Sequence, residues 1–269
     1  RRIPSTFLSY SGLKIADFMV TLDQIDASRP KLADFFDIFR VENYRFDGHF
    51  WSPTHDYNSL DFLKTLNLSD LQTVRVVGGE PFLSNKLQEF LDILPIGCEI
   101  VFNTNGSVFP NQKIVDTLLD KFKVKIDISI DAVGDLAECI RFGTIWREVS
   151  KNIDKHFDTW DLVKIYTTIS VLNVNRINDI YYKYNDNCEM NNLTHPNFLR
   201  PEQIPIDYRQ SWTIPSLKGM GDFNNLILSD LSVEYEYEKC VDFLNTCDKH
   251  QGVKFKDVNS EIWEIINGY

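Results

Sequence analysis

Thr73-Val-Arg-Val-Val-Gly-Gly-Glu-Pro-Phe-Leu83 is a run of β-forming residues that ends abruptly in Gly78, Gly79, Glu80 and Pro81. Two residues able to take positive φ, then a carboxylate fixed by a proline, make a strand-to-loop corner that presents backbone and one charge at a sheet's carboxyl end. Open and closed α/β folds put their ligands there. A Gly-Gly corner alone is as easily a plain turn, so its reading depends on what surrounds it.

Downstream of the corner, strand and helix patterns alternate. Leu87, Phe90, Leu91 and Leu94 predict a helix, and residues 99–104 a strand ending in Asn103, Asn105 and Gly106. Ile114, Val115, Leu118 and Leu119 predict a helix, residues 124–130 a strand with Asp131 at its end, and residues 145–157 a helix. A strand over 162–170 and a helix over 177–184 follow, with a further strand near 196–198. Upstream, residues 13–18 read as a first strand. Ser28 and Pro30 open a helix whose Leu32, Phe35, Phe36 and Phe39 share one face, and Leu60, Leu63 and Leu66 suggest another. This alternation requires crossovers and a parallel sheet, either closed or open.

The stretch 41–58 is aromatic and polar without a period. Its His49, Trp51, His55 and Asp56 have no recognised ligand spacing, so an insertion packed by its aromatics is the expectation. Trp212, Pro215 and Gly219 to Gly221 break the alternating pattern, and residues 234–247 read as a helix followed by a short polar tail. The expected division is an amino-terminal segment 1–12, an α/β unit 13–210, and a helical carboxyl-terminal appendage 211–269 with few core residues.

A net charge of -11 in 269 residues argues against sequence-independent nucleic-acid binding, which needs a basic surface. No stretch is apolar for long enough to span a bilayer, so a soluble, cytoplasmic protein without a membrane partner is expected. The chain opens on Arg1 rather than Met, and further sequence upstream is expected. Cys98, Cys139, Cys188, Cys240 and Cys247 are scattered without CxxC spacing and read as core thiols of a reducing compartment.

Polar groups collect at the predicted strand ends: Glu80, then Asn103 and Asn105, then Ser129 and Asp131, then Arg141 and Asn173. In a parallel barrel these share one rim. Carboxylates there accept from an ammonium or from ribose hydroxyls, and an arginine holds a carboxylate in a two-pronged grip. An amino acid joined to a nucleoside would satisfy all three. Each residue also has a structural reading: Asn103 and Asn105 as turn caps, Asp131 as a helix cap, Arg141 as an ion-pair partner. A barrel using Asp131 with His195 as acid and base has no spacing to support it.

Val76-Val-Gly-Gly-Glu-Pro-Phe-Leu83, Phe102-Asn-Thr-Asn-Gly-Ser107, Ser129-Ile-Asp-Ala-Val-Gly134 with Ile140-Arg-Phe142 and Trp146, and Thr168-Ile-Ser-Val-Leu-Asn173 together resemble the radical S-adenosylmethionine superfamily, in particular its twitch-domain-containing group. The resemblance runs from about residue 13 to 205, and Asp248-Lys-His-Gln-Gly252 with Phe255 resembles the group's tail. It implies an α/β fold: a partial (β/α)6 TIM-like barrel of parallel strands. It also implies an S-adenosylmethionine site. Gly78, Gly79 and Glu80, followed by Pro81, would meet the methionyl amino group, with Asn103 and Asn105 on the neighbouring rim. Ser129 and Asp131 would lie near the ribose and carboxylate, Arg141 would pair with that carboxylate, and Asn173 would sit near the adenine.

The family holds a 4Fe-4S cluster by a CxxxCxxC loop after its first strand. Aligning residues 13–18 on that strand puts Thr21, Ile25 and Ser28 where the cysteines belong. Hydroxyls ionise too weakly to replace thiolates on iron, and Ile25 has no donor atom, so no cluster and no metal site is expected in that loop. The function expected is then a degenerate barrel, a pseudoenzyme serving as a binding or structural module. It would act in a phage-related or multi-protein assembly, in host cytoplasm or virion, with an assembly partner or a peptide as its contact. The alternative is an enzyme, either a radical enzyme or one that uses S-adenosylmethionine without a cluster.

Overall fold

The structure is a computed structural model that describes residues 19–23, 60, 64, 67–77, 80–141, 143–212, 225, 227–228, 234–251 and 253–268; for 19–23, 186, 250 and 251 the backbone alone is described. The expected strand 13–18, the expected helix 32–39 and the insertion 41–58 lie outside the described residues, as do Gly78 and Gly79.

One six-stranded sheet carries the fold, in the order β1 (Met19–Asp23), β2 (Thr73–Val77), β3 (Glu99–Thr104), β4 (Lys123–Ser129), β5 (Leu162–Ile169) and β6 (Cys188–Asn192). Strands β2 to β6 are parallel, each beside its successor. Between them run α1 (Leu87–Ile93), α2 (Gln112–Lys121), α3 (Gly134–Ile140), α4 (Trp146–Thr159) and α5 (Ile177–Tyr184). Four of these helices pack on the same sheet face. Phe90 and Leu91 of α1, Ile114 and Leu118 of α2, Val149 and Ile153 of α4 and Ile180 of α5 join Val74, Val76, Ile100, Phe102, Ile126, Ile128 and Ile165 in one core. A doubly wound sheet reverses its strand order and puts helices on both faces. Consecutive order with helices on one face is instead the winding of a barrel wall, and the sheet is consistent with a partial barrel. Each fully buried Leu, Ile or Phe here contributes roughly 1.5–3 kcal/mol.

The elements form for local reasons. Asn111 caps α2 by accepting from the Ile114 backbone N–H at 3.1 Å. In α4, Val149, Ile153 and His156 fall on one side and are buried. In β4, buried Ile126 and Ile128 alternate with Lys125, Asp127 and Ser129.

Three expectations are corrected. The strand before β2 is antiparallel to it: Met19 lies beside Val77 and Asp23 beside Thr73. Thr21 is therefore mid-strand, opposite Arg75, rather than in a loop, and the chain leaves β1 at the end of the sheet away from the Glu80 corner. Ile25 and Ser28 lie outside the described residues. The last strand is residues 188–192, not 196–198, where Asn197–Leu199 forms a 3-10 turn. The reading missed it because Cys188-Glu-Met-Asn-Asn192 is an edge strand with little apolar content.

The polar tail expected after residue 247 is helical. After α6 (Ile206–Ser211), α7 (Tyr237–Gln251) is followed by α8 (Phe255–Val258) and α9 (Ser260–Asn267). Phe255, Ile262, Ile265 and Ile266 are buried in a second core with Leu136 and Ile140 of α3, Ile169, Val171 and Leu172. Among the described residues no helix is long and apolar enough to cross a membrane.

Candidate functional site

The corner after β2 is held by its own carboxylate. Glu80 precedes a 3-10 turn, Pro81–Leu83, and its Oε1 accepts from the Phe82 backbone N–H at 3.3 Å. Its Oε2 accepts from the Thr104 hydroxyl at 2.7 Å and from the Asn105 backbone N–H at 3.0 Å. Glu80 thus ties the carboxyl end of β2 to that of β3. Burial pushes its pKa up to about 7, against the opposing pull of the Thr104, Asn105 and Phe82 donors.

The β3 end is tightly turned. Thr104 Oγ1 accepts from the Gly106 N–H at 3.0 Å, and Asn105 Oδ1 from the Ser107 N–H at 2.8 Å. Gly106 has φ +72, and a Cβ there would sit 3.4 Å from Ile128 and Val149 side-chain carbons, so both conformation and packing favour glycine.

At the β4 end, Asp131 Oδ2 accepts from Arg141 Nε at 2.9 Å and Nη2 at 2.8 Å, while Oδ1 accepts from the Thr168 N–H at 3.1 Å. Arg141 Nη1 takes no part in that pair. Asn173 is fully buried. Its Nδ2 donates to the carbonyls of Asp131 at 2.7 Å and Thr168 at 2.9 Å, and its Oδ1 accepts from the Ser170 N–H at 2.7 Å. Its amide thus braces the ends of β4 and β5.

Asn105, Asp131 and Arg141 converge on one small cleft of about 10 Å³, whose wall is completed by Thr144, Trp146 and Val149. The cleft lies at the carboxyl end of the parallel strands, where α/β sheets bind ligands. Of the other expected site residues, Pro81 is buried in the turn, Ser129 ends β4 beside Tyr166, and Asn103 accepts from Arg75 Nη1 at 3.3 Å on the sheet face away from the helices. None of these three lines the cleft. Gly78 and Gly79 lie outside the described residues.

Reading strand ends missed Thr144 and Trp146 as cleft walls, because Thr144 lies just before α4 and Trp146 is its first residue, where no strand pattern points. It also missed a charged group in mid-sheet, Arg75, Lys125, Asp127 and Lys164. The signal for that group was present in the alternation of Lys123-Val-Lys-Ile-Asp-Ile-Ser129.

No family model matches the chain. No curated protein matches it either. Among solved structures, native anSMEcpe with bound AdoMet and Cp18Cys peptide is similar at 14% identity and a TM-score of 0.38, over 72% of this chain and 52% of that one. The chain spans about half the length of that protein.

Proposed function

We propose that the chain is a radical-SAM-like barrel that binds S-adenosylmethionine, or a similar amino acid joined to a nucleoside, in the Asn105–Asp131–Arg141 cleft, and that it works as a binding module rather than by radical chemistry. The observation that supports this reading is the convergence of an amide, a carboxylate and a guanidinium, each from a different element, on one cleft at the sheet's carboxyl end. Arg141 is already anchored by Asp131, so its remaining N–H groups are preorganised for a ligand carboxylate. The cleft has room for no more than about one water molecule, so it can receive a single charged group of such a ligand, such as its carboxylate, and not the whole molecule.

The donor set does not fit a 4Fe-4S cluster held after the first strand. Thr21 sits within β1, and neither a hydroxyl nor the Ile25 side chain replaces a thiolate. No cysteine precedes Cys98 in the chain.

Calorimetric titration with S-adenosylmethionine tests the proposal. Saturable heat that Arg141→Ala abolishes is the expected result, and no heat with no thermal shift would remove it. Brown colour and visible absorption after anaerobic reconstitution with iron and sulfide would instead favour a radical enzyme.

A further inference from the structure

Alternation along β4 sends Lys125 and Asp127 to the sheet face opposite the helices. Register places Asn103 and Lys164 on either side of Asp127, and Arg75 and Lys125 on either side of Val101. The Asp127 side chain is 1% exposed. Its Oδ2 accepts from Arg75 Nη1 at 2.9 Å, and the same nitrogen donates to Asn103 Oδ1 at 3.3 Å. Lys125 Nζ lies 3.4 Å from Oδ1, which has no hydrogen-bond partner. One strand further, Lys164 pairs with Glu189 at 3.3 Å.

This group is hard to explain as packing. Burying a carboxylate is costly, and an apolar side chain on the same face is the cheaper solution, as buried Val101 shows. In a chain of net charge -11, two cations, Arg75 and Lys125, gather here against the one buried carboxylate of Asp127. The cations are also reachable: the side chains of Arg75 and Lys125 are 35% and 27% exposed. Asp127 acts as a buried anchor that fixes both heads, while Arg75 Nε and Nη2 are not used by that pair. A fixed guanidinium beside a fixed ammonium is the arrangement that recognises an oxyanion.

The geometry points to a binding site for a small molecule bearing a carboxylate or phosphate on the helix-free face of the sheet, held by Arg75 and Lys125 and built from different residues than the Asp131–Arg141 cleft. Its shared chemistry is an oxyanion, so two probes separate the sources. Inorganic phosphate and succinate, each titrated calorimetrically into the full chain at fixed ionic strength, are expected to show saturable binding for at least one.

The double variant Arg75→Gln/Asp127→Asn removes both charges without stranding a buried carboxylate, and it is expected to weaken that binding tenfold or more. Lys239→Gln, which removes a cation on α7, leaves it unchanged. The site is overturned if neither anion binds saturably or if the double variant binds as well as the parent. Because the S-adenosylmethionine titration reads Arg141 and this one reads Arg75, the two readings fail separately.

Discussion

His156 and Glu80 are neighbours through one ring: Phe82, whose N–H caps on Glu80, lies 5.7 Å from the His156 imidazole, and Phe109 lies 4.9 Å from it on another side. His156 is fully buried and its Nδ1 accepts from Trp160 Nε1 at 3.1 Å. Burial lowers its pKa to about 4, with the Val108 backbone opposing and Lys155 assisting. The unfolded chain therefore takes up this proton first, and the stability contributed by His156 is lost as pH falls from about 6.5 toward 4.

Glu80 has the opposite sign. Its folded pKa of about 7 exceeds the unfolded 4.5, so its contribution is full below pH 4.5 and is lost as pH rises through 7. The two slopes oppose each other over nearly the same range. Glu80→Gln should unmask the histidine, and urea melts of that variant should lose on the order of 3 kcal/mol between pH 7 and 4 from this residue. His156→Phe should leave stability rising as the pH is lowered from 7 to 4.5. A pH-independent Glu80→Gln protein would refute the assignment.

At the scale of elements, α8 and α9 are bolted to the loop after β5. Asn259 Nδ2 donates to the Leu172 carbonyl and to Asn175 Oδ1, both at 3.0 Å. Glu261 accepts from Asn175 Nδ2 at 2.7 Å and from Trp212 Nε1 at 3.0 Å. That loop also contains Asn173, the brace of the Asp131 end, so the carboxyl-terminal helices support the cleft from behind. Phe255→Ala, at a residue 1% exposed, should cost about 3–5 kcal/mol in chemical denaturation. It should also weaken ligand binding in the cleft more than Tyr182→Ala, at a residue 63% exposed.

Across the whole molecule, five cysteines share one behaviour. Cys98, Cys139 and Cys240 are buried, and Cys188 and Cys247 are half-buried. Burial pushes the Cys98 and Cys247 thiols up to about 11 and those of Cys139, Cys188 and Cys240 to about 12. The folded protein should then react with Ellman's reagent at pH 8 far more slowly at every thiol than the same chain in guanidinium. One fast thiol in the native state would locate an activated cysteine and contradict the assignment of all five as packing residues.

The alternation of apolar strands with amphipathic helices from Thr73 to Tyr184 was legible because each strand buries one face and each helix one stripe, and both leave a period in the sequence. Strand ends were legible as well, since glycine, asparagine and aspartate stop a strand for local reasons, and so Asn105, Asp131 and Arg141 could be named. Tertiary structure alone decided that Asp131 grips Arg141, that Asn173 is an internal brace, that β1 runs against its neighbour and that residues 253–268 join the core. Each of those depends on which distant groups meet, and pairing between residues far apart in the chain leaves no local periodicity to read.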